Sequence, residues 1–62
     1  MEAERLLEMD RRIQSIKRSV IELQNLGGEI EAISRNSARI LASIKMLELN
    51  ISDLIPLLER SD

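Results

Sequence analysis

Chemistry needs nucleophiles, general acids and bases or metal ligands, and this chain has few. Its 62 residues include neither His nor Cys, which removes the commonest general base, the thiolate nucleophile and the ordinary zinc ligands. A nucleophile would have to be Ser or Lys. No Ser is followed three residues later by Lys, the spacing that β-lactamase-type enzymes use. Eleven carboxylates are present, but a narrow helical bundle has no cleft to raise the pKa of one above another. Gly27-Gly28 lacks both the P-loop Lys and the spacing of a dinucleotide fold. The expectation is a chain that is not an enzyme and takes no cofactor, metal or small-molecule substrate.

The strongest concentration of charge is Arg11, Arg12, Lys17 and Arg18. It reads in two ways, as a docking patch for an acidic partner or a lipid surface, or as a solvated face tied down by local pairs such as Glu8 with Arg12 and Arg18 with Glu22. A net charge of −2 and the absence of Phe, Tyr and Trp argue against nucleic acid, which is bound through a basic surplus and stacking aromatics. The longest apolar stretch, near residues 40 to 58, is broken by Lys45, Glu48 and Asp53, which argues against a membrane span. With no signal peptide, the expected location is intracellular, cytoplasmic or nuclear.

What remains is a core of Leu, Ile, Val, Met and Ala, and its spacing is helical. Leu6, Met9, Ile13, Ile16, Val20 and Leu23 step by three and four, a heptad seam. Leu26, Ile30, Ile33, Ser37, Ile40, Ile44, Leu47, Ile51, Leu54 and Leu58 continue it. In heptad letters, Leu6, Ile13, Val20, Ile30, Ser37, Ile44, Ile51 and Leu58 fall at a, and Met9, Ile16, Leu23, Leu26, Ile33, Ile40, Leu47 and Leu54 at d. Ser37 is the one polar seam position, either a layer that fixes register or a tolerated small residue.

The chain is read as one helical oligomerisation region, residues 1–62, with seams over 6–26 and 26–58 and a short tail at 59–62. Between the seams, Leu23 to Leu26 is a step of three where four is due, a stammer. Gly27 and Gly28 follow at once, a pair that costs a helix interior about 2 kcal/mol relative to Ala. Two all-α structures compete: a long coiled-coil helix, broken or bent at the glycines, and an αα-hairpin with Gly27 capping the first helix. The long helix is favoured, because Glu29 onward offers no Ser, Thr, Asp or Asn cap to start a second one. Pro56 predicts a stop or kink near Ile55.

So short a chain without disulfide or metal needs partners to bury enough surface. Ile at d, together with apolar Leu41, Met46, Leu49, Ile55 and Leu57 off the seam, favours a bundle of three or four helices over a two-stranded zipper. Leu26, Ile30, Ile33, Asn36, Ile40, Leu47 and Ile51, with Ile13, Ile16, Lys17 and Arg18 upstream, resemble the run in small coiled-coil subunits of the fungal DASH ring complex of the outer kinetochore. That resemblance implies a structural subunit of a hetero-oligomeric helical complex whose rings encircle microtubules. The residues alone also allow a self-associating coiled-coil module or adaptor. Either way the expected partners are other helical protein chains, in a hetero- or homo-oligomer.

Overall fold

The computed structural model describes residues 3–60, with side chains described as far as Pro56. Two helices, α1 (Ala3–Leu26) and α2 (Glu31–Arg60), pack against each other along their length. Of the two arrangements open to the sequence, the chain takes the hairpin and not the bent rod. The break falls at the glycine pair, as expected, but the reason is local packing.

Gly27 N–H donates to the Leu23 carbonyl at 2.8 Å, and Ile30 N–H to the Gly27 carbonyl at 2.9 Å. Helical bonding thus persists past Leu26 and then tightens into a turn. Among the described residues no backbone φ is positive, so Gly27 is not the left-handed cap that ends many helices. Its missing side chain matters instead: a Cβ there would stand 2.6 Å from Ile33 Cγ2 and 3.3 Å from Ile33 Cβ. The turn closes because α2 can approach the backbone of Gly27 that closely.

The missing N-cap does not prevent α2. Ser34 N–H donates to the Ile30 carbonyl at 3.0 Å, and Glu31 puts a carboxylate in the first turn, where the helix dipole favours it, paired with Arg35 one turn on. Propensity is a weak prior that tertiary packing overrides. The stammer has no role in a supercoil, since Leu26 ends α1 and is 88% exposed. Pro56 stops nothing either, because α2 runs through it to Arg60. Its ring removes the N–H that would have bonded the Ser52 carbonyl and crowds that same carbonyl, a cost the helix bears without ending.

Candidate partner-helix interface

The hairpin divides the predicted seam in two. Leu6, Ile13, Val20, Ile44 and Ile51 are buried, and Ser37, at 2% exposure, is as well hidden as any of them. All six are a positions. Ile30, the seventh a residue with a described side chain, lies in the turn and is exposed, and Leu58 falls outside the described side chains. The d residues are left at the side. Met9 and Ile33 are half-buried, while Ile16, Leu23, Ile40, Leu47 and Leu54 are exposed, Leu47 to 44%.

Helix geometry explains the split. Each helix points its a positions at the other, so d lies about 60° to one side and e about 40° to the other. Because the helices are antiparallel, the two d rows fall on the same side of the hairpin. They form a stripe on which Met9, Ile13, Leu47, Ile51 and Leu54 line an almost wholly apolar groove, with Arg12 and Asn50 at its rim. Ile51 also lines the cleft on the opposite side with Leu6, so the a residues interdigitate.

On the e side a polar bridge joins the helices, beside the cleft lined by Leu6, Leu7, Ile51 and Ile55. Gln14 Nε2 donates to Glu48 Oε2 at 2.9 Å, and Lys17 Nζ donates to the same oxygen at 3.1 Å. These bonds join the two helices across more than 30 residues of sequence. The Gln14 bond, then the Lys17 bond, with the charges of Lys17 and Lys45 behind them, hold the Glu48 carboxyl below its ordinary pKa against some desolvation. Sequence reading missed this bridge. Its signal was Gln14 and Lys17, at b and e of α1, on the side where an antiparallel partner brings the Glu48 of its own e row.

The basic patch is not one unit. Arg12 Nε donates to Glu8 Oε1 at 2.9 Å, as the spacing predicts, and Arg11 reaches Glu8 Oε2 at 3.4 Å. The Arg12 bond and charge, with Arg11, keep the Glu8 carboxyl below its ordinary pKa. Lys17 turns to α2, and among the described residues the pairing of Arg18 with Glu22 does not form. Arg11 and Arg12 thus share Glu8, Lys17 serves the bridge to α2 and Arg18 forms no ion pair among the described residues, and the exposed pairs contribute little to stability.

Among the described residues no helix is long and apolar enough to cross a membrane, and no three His, Cys, Asp or Glu side chains come together as a metal site would need. No protein-family model, curated protein or solved structure matches the chain. The described surface offers the apolar d stripe, with Leu7, Ile21, Met46, Leu49 and Ile55 exposed elsewhere.

Proposed function

We propose that this chain is a non-enzymatic structural subunit of a helical-bundle complex, whose d stripe is covered by helices of partner chains. The observation that carries this is the exposure of Ile16, Leu23, Ile40, Leu47 and Leu54 in one stripe above an apolar groove. Contiguous apolar surface of this kind marks protein contact sites, whereas scattered exposed Leu would not. Five buried aliphatic residues among the described ones are also a small core for a chain of this length. Partner helices lying on the stripe would complete a bundle of the sort that Ile-rich d positions favour. The kinetochore setting, a ring that couples microtubules to chromosomes, rests alone on the resemblance of Leu26 to Ile55, with Ile13, Ile16, Lys17 and Arg18 upstream.

The test is to make the stripe polar without touching the a row. With Ile16, Ile40 and Leu47 all changed to Gln, the chain is expected to stay helical and become monomeric, while the parent associates or precipitates when concentrated. A parent that melts as a fully soluble monomer at every concentration, with the Gln variant indistinguishable from it, would sink the proposal.

A further inference from the structure

The stripe carries a pattern that names its own partner. In the groove, Met9 of α1 is flanked by Leu47 and Leu54 of α2. One heptad nearer the turn on both helices, the same relation sets Ile16 between Ile40 and Leu47, and one further sets Leu23 between Ile33 and Ile40. Three d residues of α1 thus nest in the gaps between four of α2. This array is unchanged by a half-turn about an axis through Ile16, which exchanges Met9 with Leu23, Leu47 with Ile40 and Leu54 with Ile33.

We infer that the partner seated on the d stripe is a second copy of this chain, related by a two-fold axis at Ile16, with the two turns at opposite ends of an antiparallel four-helix bundle. This rests on the assembly reading above and names the partner. In such an isologous contact every residue finds its complement on an identical surface. Ile16 meets Ile16 of the other copy, Met9 meets Leu23, Ile40 meets Leu47 and Ile33 meets Leu54. The open end is concave, at the Met9–Leu47–Leu54 groove, and the turn end carries exposed Leu23 and Leu26. Opposed turns bring filled against hollow, whereas turns at the same end would set hollow on hollow and leave a void.

Area and charge agree. With the axis at Ile16, about 20 Å from the turn at 1.5 Å per residue, two faces 15 Å wide overlap over about 40 Å and cover about 1,200 Å² in total, at the lower edge of the roughly 1,200–2,000 Å² of stable protein pairs. The half-turn brings Arg12 within two residues of the level of Glu22 of the other copy, opposite charges on adjoining positions. At the g rim of α2 stand Asn36, Ser43 and Asn50; Ser43 opposes its own copy and Asn36 opposes Asn50, without repulsion.

The experiment is sedimentation equilibrium with site-specific cross-linking, clean here because the chain has no Cys. The expected mass is twice 7.1 kDa, and Ile16→Cys is expected to form a disulfide-linked dimer under mild oxidation while Arg18→Cys, on the outer face, does not. Should Ile16→Cys disturb folding, Ile40→Cys mixed with Leu47→Cys provides the same reading through a mixed dimer. Cross-linking of Ile16→Cys only when mixed with Ile40→Cys would place the turns together and overturn the arrangement. A parent that stays monomeric yet gains solubility when its stripe is made polar would give the stripe to a different chain, overturning the second copy but not the assembly reading. A monomer indifferent to those substitutions overturns both.

Discussion

Ile33 occupies the space that a side chain on Gly27 would need, its Cγ2 2.6 Å from where that Cβ would stand. Ile is branched at Cβ and stiff, and its own Cβ lies only 3.3 Å away, so rotation about χ1 cannot clear the position. Gly28 is different, since a Cβ there meets nothing nearer than the Gln24 carbonyl at 3.4 Å. Gly27→Ala is therefore expected to destabilise the hairpin by about 1–3 kcal/mol, the cost of overpacking. Gly28→Ala is expected to be neutral or to stabilise by up to about 1 kcal/mol through the unfolded state. Urea titrations of both variants check the contrast, and equal losses would mean that the turn needs flexibility and not close approach.

The Gln14–Glu48–Lys17 bridge makes stability depend on pH on the acid side. Glu48 has a lowered pKa in the folded chain, so its contribution is fully present above the unfolded-state value and is lost as pH falls through the folded one. Thermal melts are expected to shift downward as pH drops below about 4. The drop should be smaller in Glu48→Gln, which among the described residues leaves Glu8 as the other carboxylate with a lowered pKa. An unchanged acid limb in that variant would show that the bridge contributes nothing.

The a row and the outer face should answer differently to truncation. Ile44 is 3% exposed within the core, and Leu49, in the same helix, is 46% exposed. Ile44→Ala is expected to cost about 2–5 kcal/mol, and Leu49→Ala about 0.5 kcal/mol or less. Equilibrium denaturation of the two variants measures both; comparable losses would mean that Leu49 is covered in solution.

Ser37 is buried in the a row nearest the turn of α2, and among the described residues no buried side-chain polar atom lacks a partner. Its small volume suits helices that are drawn together by the Gly27–Ile33 contact. Ser37→Ala is expected to change stability by less than about 1 kcal/mol, and Ser37→Leu to lose about 1–3 kcal/mol by overpacking. A change of oligomeric mass in Ser37→Ala would instead make the hydroxyl a register device.

The heptad spacing from Leu6 to Leu54 determined that the chain is helical, where its apolar row lies and that the regular pattern breaks at Gly27-Gly28. Those features are legible because they depend on residue type and on the 3.6-residue period alone. The direction of the chain after the glycines is not local. A bent rod and a hairpin differ little in backbone cost, and the hairpin exists because Ile33 can rest on Gly27 and the a residues of α1 and α2 can interdigitate. Nor could a linear pattern distinguish a from d, since both recur every seven residues with the same side chains. Only the antiparallel packing decided that Leu6, Ile13, Val20, Ser37, Ile44 and Ile51 fill the interior, that Gln14 and Lys17 bridge one side to Glu48, and that Ile16, Ile40 and Leu47 are left facing outward on the other.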